Sequence, residues 1–511
     1  MACSKCQKTL SLSDIDTYPS PVPNLLASNI TPRKHDLSVL RDALSSSRGD
    51  LQKLDDEIGL LQKYLLKLQA KRTSVQNFLD LHGAITIRRL PIEILERIFL
   101  FSLPSYPNVL ESKSAPMALS GVCRFWRGIS RAAPMLWTTI KVEENKNSKK
   151  VALVLSRWLE LSCNWPLTIQ YHLGATSQDV WKTIMSCSRR IEHLEIDSKV
   201  KIPDGFLSEN AVFPNLRFLR ITRDMRSAYD DPEVFIDLKK VAPQLSSIHI
   251  RRFEFNFLSL PSERLTTCSL EIEDMDCCIA FLGASRQLVD CTIRAYENWA
   301  ATTLPILRHE KLEKLVINYG GARYNEALGL FLAHLELPSL LELEWFAMMT
   351  SNTIVGKWPG NVFLSFLSRS GCMLSKLWIT AGPTEDDILQ YLSALPSLID
   401  IAIGPLPSIV CPDKLMQALT FRRHDNLEGE NLVPNLEHLL ISGEWRGGEA
   451  IATAIESRFG GKGKLKGITL FCHLKYSMSG KTLKRLRRCI EKGLAYRQWP
   501  PASFVGPQPP L

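Results

Sequence analysis

Apolar residues in the first part of the chain follow an alternating spacing of three and four. From Leu37 to His82, eleven of the fourteen positions with this spacing are apolar. A repeat of 3.5 residues keeps one stripe of a helix facing a partner, which is typical of coiled coils. Gly49 weakens the pattern, because a glycine inside a helix costs about 1 kcal/mol relative to alanine. The spacing predicts a coiled-coil helix over residues 36–82, firm from Asp50, that either dimerises or folds back on its own domain.

A second apolar pattern recurs between residues 191 and 470. The phrase apolar-x-x-apolar-x-apolar occurs eleven times, with 20 to 38 residues between copies. Five copies begin with Pro, then Asn, Gln or Ser, then Leu, as in Pro214-Asn215-Leu216. A proline at this point ends a preceding helix and favours an extended strand. Amphipathic helical patterns lie between the copies, and one of them follows a cap at Thr384.

Units that alternate a helix with a short strand each leave an apolar face that a neighbouring unit must cover, as in a solenoid. The phrase resembles the start of a leucine-rich repeat. The regular Asn or Cys that this family places after the strand is missing here, so the resemblance implies a degenerate array over residues 150–480. The alternative is an ordinary α/β domain whose strands share the pattern through burial.

Residues 86–140 contain more large apolar side chains than about 55 residues can bury. Residues 94–99 place four of them at i, i+1, i+4 and i+5 of a predicted helix, a second helix covers 119–126, and a short segment ends at Leu136-Trp137. Contiguous exposed apolar patches are rare on monomeric proteins. The surplus predicts a surface that binds a partner protein.

The same residues resemble an F-box in type, order and spacing. The matching segments are Leu90-Pro91-Ile92-Glu93-Ile94-Leu95-Glu96-Arg97-Ile98-Phe99, Val122-Cys123-Arg124-Phe125-Trp126 and Leu136-Trp137. The resemblance implies a three-helix domain that binds the Skp adaptor of a Skp–cullin–F-box ubiquitin ligase. It assigns the first contacts to Leu90, Pro91, Ile94, Leu95 and Ile98, and further contacts to Val122, Cys123 and Trp126. Residues 104–116 make the gap between the first two helices longer than usual, and we expect them to form a surface loop.

By this resemblance the chain is a non-catalytic substrate-recognition subunit, in which the F-box binds the adaptor, and through it a cullin, while the repeats hold a target protein. The order of coiled coil, F-box, a strand at Pro166–Tyr171 and irregular repeats is similar to the large F-box families of mushroom-forming fungi. An interaction scaffold that binds the adaptor without directing ubiquitination is an alternative.

The charge of the chain is unevenly distributed. Of a formal net charge of +9 over 511 residues, residues 460–500 alone carry +10 and residues 1–459 carry −1. The segment 481–497 combines an apolar stripe with surrounding cations, which favours a basic helix that caps the last repeat. Binding of nucleic acid by this segment is the alternative, and the sequence lacks the interleaved aromatic residues typical of such surfaces.

The rest of the sequence excludes several classes of protein. It has no apolar run long enough to span a membrane, no secretory signal, and thirteen irregularly spaced cysteines that predict no disulfide framework. Cys3 and Cys6 lack the second pair of ligands that a zinc site needs, and no catalytic, metal or cofactor motif occurs. We therefore expect a cytoplasmic or nuclear α+β multi-domain protein without a cofactor, with a disordered lead over 1–35 and a Pro-rich tail over 498–511.

Overall fold

A computed structural model gives the architecture of the chain. It describes residues 19–499 except for residues 29, 88, 144–147, 174–177, 199–211, 224–235, 252–257, 273, 296–298, 300–304, 321–322, 348–356, 380–382, 404–412, 423–430, 444–447, 461–462 and 473–478. Three parts of the sequence analysis lie outside these residues: Cys3 and Cys6, most of the predicted disordered lead, and nearly all of the predicted Pro-rich tail. The chain divides into two compact units, Met1–Leu95 and Glu96–Leu511.

The described residues form α-helices and β-strands that alternate along most of the chain. The helices are α1 Pro23–Leu26, α2 Lys34–Ile87, α3 Ile92–Phe101, α4 Met117–Val122, α5 Arg124–Ala132, α6 Ser148–Leu161, α7 Gln178–Ser186, α8 Leu238–Val241, α9 Met275–Ala284, α10 Tyr324–Ala333, α11 Gly360–Ser370, α12 Glu385–Ala394, α13 Asp413–Leu419, α14 Glu449–Arg458 and α15 Gly480–Glu491. The strands are β1 Thr139–Glu143, β2 Leu167–Leu173, β3 Ile191–Ser198, β4 Phe218–Arg223, β5 Ile236–Asp237, β6 Ser247–Arg251, β7 Leu258–Ser259, β8 Thr267–Glu271, β9 Asp290–Ala295, β10 Leu307–Arg308, β11 Lys314–Tyr319, β12 Leu335–Glu336, β13 Glu342–Ala347, β14 Lys376–Ile379, β15 Asp400–Ile403, β16 His438–Gly443, β17 Gly467–Cys472 and β18 Ala495–Trp499.

The first long helix is longer than the heptad spacing predicts. Helix α2 runs without a break from Lys34 to Ile87, so the expected weak point at Ser45–Gly49 and the firm start at Asp50 are wrong. Helical residues on both sides of Gly49 propagate the helix through it, because extending a helix is much easier than starting one. Part of the segment predicted to be a disordered lead also forms a short helix, α1.

Fourteen of the described strands form one parallel sheet, and their order in the sheet follows their order in the chain. All eleven strands predicted from the recurring phrase are present. The middle apolar residues of the eleven copies pair with one another in a continuous line: Leu194, Leu219, Ile248, Cys268, Cys291, Leu315, Leu343, Leu377, Ile401, Leu439 and Ile468. The fold is therefore mixed α/β, and an unreversed strand order is consistent with a solenoid rather than a doubly wound domain.

Buried and less buried residues alternate along some strands, whereas others, such as β3, have consecutive buried residues. In β2, Leu167, Ile169, Tyr171 and Leu173 are buried while the residues between them are half-buried. Helices cover the buried side of the sheet, and Trp345 of β13, for example, packs against rings of α10 at centroid distances of 5.7 and 6.4 Å. The opposite face of the sheet carries polar residues on its first strands and some apolar residues, such as Val316, Ala402 and Leu440, on later strands.

Arginines join successive repeats on the helical side. Three of them, at or just after the C-terminal end of one helix, donate hydrogen bonds to backbone carbonyls at the end of the preceding helix and nearby. These are Arg190 to Leu159 and Ser162, Arg369 to Leu332 and Leu335, and Arg458 to Leu419 and Val433. The last carbonyls of a helix have no hydrogen-bond donor within the helix and carry partial negative charge. An arginine there donates hydrogen bonds to them and places a positive charge beside them.

The C-terminal segment differs from the predicted single helix over 481–497. Helix α15 ends at Glu491, and the chain then forms strand β18, which pairs with β17 and extends the sheet. The apolar side of α15 is packed, since Leu486 and Cys489 are buried, and Arg485 forms a 2.6 Å ion pair with Glu456 of α14. Gly493 permits the change of direction, because its φ of +104° is disfavoured for other residues.

No helix in the described part of the chain combines the length and the apolar character that crossing a membrane requires.

Candidate functional site

Helix α3 carries the first half of the motif and has two apolar stripes. Pro91 immediately precedes the helix, and its carbonyl accepts hydrogen bonds from the amides of Ile94 and Leu95 in the first turn. Leu95 and Phe99, one turn apart, are fully buried, whereas Ile94 and Ile98, also one turn apart, are 42% and 38% exposed. A stripe that its own fold buries and a second stripe open to solvent together account for the unusually wide apolar surface in the sequence.

The second half of the motif forms two helices rather than the single helix expected over 119–126. The chain is extended at Cys123, which separates α4 from α5, and the Cys123 thiol accepts a hydrogen bond from the amide of Trp126 at 3.5 Å. Cysteine thus acts as the N-cap of α5, a role usually taken by Ser, Thr, Asp or Asn. The interruption leaves Val122 60% exposed at the end of α4.

Aromatic contacts hold these helices together. The rings of Phe99 in α3 and Trp126 in α5 lie 4.8 Å apart. Trp137, in the short 3-10 helix Pro134–Trp137, is buried, and its indole nitrogen donates to the carbonyl of Ser130 at 2.7 Å. Trp137 also meets Trp158 of α6 edge to face, with a centroid distance of 5.0 Å. Trp137 therefore fixes the short third segment, and Trp126 packs against α3.

The eight predicted contact residues differ in exposure. Five of them, Pro91, Ile94, Ile98, Val122 and Cys123, are exposed, and two, Leu90 and Trp126, are half-buried. Leu95 is the exception, because it belongs to the buried stripe of α3 and has no surface to offer a partner. Ile92, Phe101 and Phe125 are exposed large apolar side chains that the prediction left out, at 48%, 90% and 51%. The spacing could have identified Phe101, which lies three residues after Ile98 and so on the same side of the helix.

The loop 104–116 does not remain a free surface loop as expected. Asn108 pairs with Lys141 of β1 as an isolated parallel bridge, and Val109 is buried. The hydroxyl of Tyr106 donates to the carboxylate of Glu195 in β3 at 2.9 Å. The loop therefore covers the first edge of the sheet, where unpaired backbone groups of an edge strand would otherwise be exposed.

Glu195 is the centre of a polar network on the open face of the sheet. Its buried carboxylate also accepts from Gln170 at 3.1 Å and contacts His193 at 2.9 Å. Burial by itself raises the pKa of Glu195, but the hydrogen bonds from His193 and Tyr106 and the charge of Arg220 outweigh it and lower the pKa to about 2. Glu195 is therefore ionised at neutral pH.

Removing the Tyr106 hydroxyl is expected to loosen the loop. In Tyr106→Phe the carboxylate of Glu195 loses one donor, and the attachment of residues 104–116 should weaken by about 1–2 kcal/mol. Limited proteolysis or hydrogen exchange of this loop at neutral pH would measure the change. The pKa of Glu195 is lower in the folded protein than in the unfolded chain. The stabilisation of the loop by the ionised carboxylate is therefore complete above about pH 4.5 and is lost as the pH falls towards about 2. The difference between wild type and variant should shrink over that range, and a constant difference would contradict the role of the charge.

The open face of the sheet presents one side chain from each of its fourteen strands in a central row. In chain order the row contains Lys141, Gln170, Glu195, Arg220, His249, Ser269, Thr292, Val316, Glu344, Trp378, Ala402, Leu440, Thr469 and Arg497. Charged and polar members occupy the first seven positions. Burial and the charge of Arg220 lower the pKa of His249 to about 4, so this histidine is neutral at physiological pH.

A compact group of aromatic and charged side chains lies further along this face, on β13 to β15. The ammonium of Lys376 is 2.5 Å from the carboxylate of Glu344 and 3.9 Å from the ring centre of Trp378. The indole nitrogen of Trp378 donates to Asp400 at 3.0 Å, and Phe346 meets the same ring edge to face. Tryptophan held in a fixed rotamer beside charges is typical of the residues that dominate protein–protein interfaces. This group is a candidate binding surface on the open face of the sheet.

Among the described residues, no group of three or more His, Cys, Asp or Glu side chains could hold a metal ion. Nine cysteines within the described ranges form no disulfide bond: Cys123, Cys163, Cys187, Cys268, Cys277, Cys278, Cys291, Cys372 and Cys489. Cys277 and Cys278 lie on α9, where Cys278 is fully buried and Cys277 half-buried.

Comparison with known proteins adds no identification, since no protein-family model matches the chain and no curated protein matches its sequence.

Proposed function

We propose that the chain is the substrate-recognition subunit of a Skp–cullin–F-box ubiquitin ligase. The observation that carries the proposal is a set of exposed apolar side chains within the second unit: Ile98 and Phe101 of α3, Val122 at the end of α4 and Phe125 near the start of α5. Ile98, Val122 and Phe125 belong to the two segments in which the F-box motif has its adaptor contacts. Leu95, which the motif also includes, contributes to the core instead.

Two further features support this proposal. The contact between Phe99 and Trp126 fixes α3 against α5. Because the residues that face the partner are held in place, they lose little conformational entropy on binding. The open face of the sheet, with Trp378 and its charged neighbours, offers a separate surface for the target protein. Such a subunit accelerates ubiquitination by holding the target near a charged enzyme, so the gain is in effective concentration rather than in bond chemistry.

Affinity purification from cells treated with a proteasome inhibitor tests both surfaces. The wild-type chain should recover a Skp-type adaptor, a cullin and one or more target proteins. The Pro91→Ala/Trp126→Ala chain should lose adaptor and cullin together. The Trp378→Ala chain should keep both of them and lose the target.

Unchanged recovery of the adaptor by Pro91→Ala/Trp126→Ala would refute the proposal. Recovery of adaptor and cullin without any protein that accumulates when this chain is deleted would replace it with the scaffold function.

A further inference from the structure

The helix α2 carries a long apolar stripe that is exposed to solvent. The fourteen heptad positions are Leu37, Leu40, Leu44, Ser47, Leu51, Leu54, Ile58, Leu61, Leu65, Leu68, Arg72, Val75, Leu79 and His82. From Leu51 onward the apolar members are mostly between 38% and 62% exposed. An apolar stripe of this length on one continuous helix is the feature that a second coiled-coil strand covers.

We infer that two copies of this chain associate through α2 as an antiparallel coiled coil. The inference is independent of the proposed ligase function, because none of the adaptor-contact residues lies on α2. The choice of a second copy, and of its direction, follows from the charged and polar residues in and beside the stripe.

The polar residues of the stripe disfavour a parallel dimer. In a parallel, in-register dimer each stripe residue faces its own counterpart, so Arg72 would be buried against Arg72 of the second copy. In an antiparallel pair that overlaps over the whole stripe, Arg72 instead lies beside Ser47 of the second copy. Ile58 then lies beside Leu61, and Leu51 beside Leu68, so the apolar layers remain matched.

The charged residues that flank the stripe also favour the antiparallel arrangement. The parallel arrangement brings Asp50 beside Asp55 of the second copy, a like-charge pair. The antiparallel arrangement places Asp50 beside Lys71 of the second copy, and by symmetry it does so twice. Asp50 already pairs with Lys53 at 3.0 Å within its own helix, and the Asp50 side chain is 16% exposed. A carboxylate can accept from more than one donor, so Lys71 of the second copy would join Lys53 on it.

Neighbouring leucines provide a matched test of the association. Sedimentation of the purified full-length chain should give twice the 57.7 kDa chain mass across the micromolar range. Leu61→Asp and Leu65→Asp, which place a charge in the stripe, should give the chain mass. Leu60→Asp and Leu66→Asp alter leucines that are 52% and 66% exposed but lie outside the stripe, and these variants should remain dimeric. A monomeric wild type, or equal effects of both pairs, would overturn the inference.

Charge exchange at the polar layer tests the direction. Ser47→Glu should preserve or strengthen the dimer, because each new carboxylate faces Arg72 of the second copy. Ser47→Arg should weaken it by about tenfold or more, since two like-charge contacts form per dimer. Ser47→Arg/Arg72→Glu should restore the affinity. A parallel pair would place the two introduced carboxylates, or the two introduced guanidinium groups, against each other. Equal weakening by both single variants, without rescue, would therefore exclude the antiparallel arrangement.

Discussion

The Ile98→Asp chain is expected to lose its adaptor almost completely, with an affinity at least about 100-fold below wild type. Ile98 is 38% exposed on the outer stripe of α3, and the proposal includes it in the adaptor contact. A carboxylate buried there would have no partner, and about 2.7 kcal/mol or more of binding free energy would be lost. Val122→Asp should have a similar effect. Calorimetry or surface plasmon resonance with a purified Skp-type adaptor would measure both.

The matched control is Leu153→Asp, which introduces the same charge at a 72% exposed position of α6 outside the motif. This variant should bind the adaptor as wild type does. Thermal melts of all three variants would separate loss of the contact from loss of the fold. Wild-type affinity in a folded Ile98→Asp chain would remove the basis of the proposed F-box surface.

The Arg458→Met chain is expected to be destabilised by about 3–5 kcal/mol. Arg458 is buried, and its guanidinium donates to the carbonyls of Leu419, Leu432 and Val433. Burial lowers its pKa to about 10, so the group stays protonated at neutral pH. Methionine fills a similar volume but removes the side-chain donor to the carbonyls of Leu419 and Leu432, while Val433 keeps its hydrogen bond from the amide of Leu436. Each buried group left unpaired costs about 1–3 kcal/mol.

Hydrogen exchange should localise the damage to the contact between α13 and α14, because solenoid repeats interact mainly with their neighbours. Arg487→Met, at an exposed arginine of α15, is the control and should change the free energy of unfolding by about 0.5 kcal/mol or less. If the two substitutions have equal effects, the arginines that join successive repeats are not a source of stability.

The strands were predictable because their information is local. An apolar-x-x-apolar-x-apolar phrase, which proline precedes in five of the eleven copies, favours an extended segment with one buried side, and all eleven copies are strands of the sheet. The Thr384 cap is equally local and was predicted correctly, since the hydroxyl accepts from the amide of Asp387 and the Asp387 carboxylate accepts in return. Both features depend on residues a few positions apart.

The features that the sequence analysis missed involve residues far apart in the chain. Tyr106 and Glu195 are separated by 89 positions, and nothing in the motif indicates that the loop would cross to β3. The role of Arg458 likewise depends on carbonyls of residues 25 to 39 positions away, and backbone carbonyls leave no trace in a sequence. Strand β18 was missed because the stripe of α15 continues into Leu494 with helical spacing.

For the candidate adaptor surface too, the sequence determined one part of the description and the tertiary structure the other. The sequence by itself determined that residues 86–140 carry too many large apolar side chains for so small a domain, and that they are arranged as in an F-box. Only the tertiary structure decided how those side chains divide, with Leu95 and Phe99 in the core and Ile94, Ile98 and Val122 in solvent. The reason is physical, because hydrophobic burial depends on area and has no direction. A stripe therefore records that its residues avoid water, and packing determines whether the protein's own core or a partner covers them.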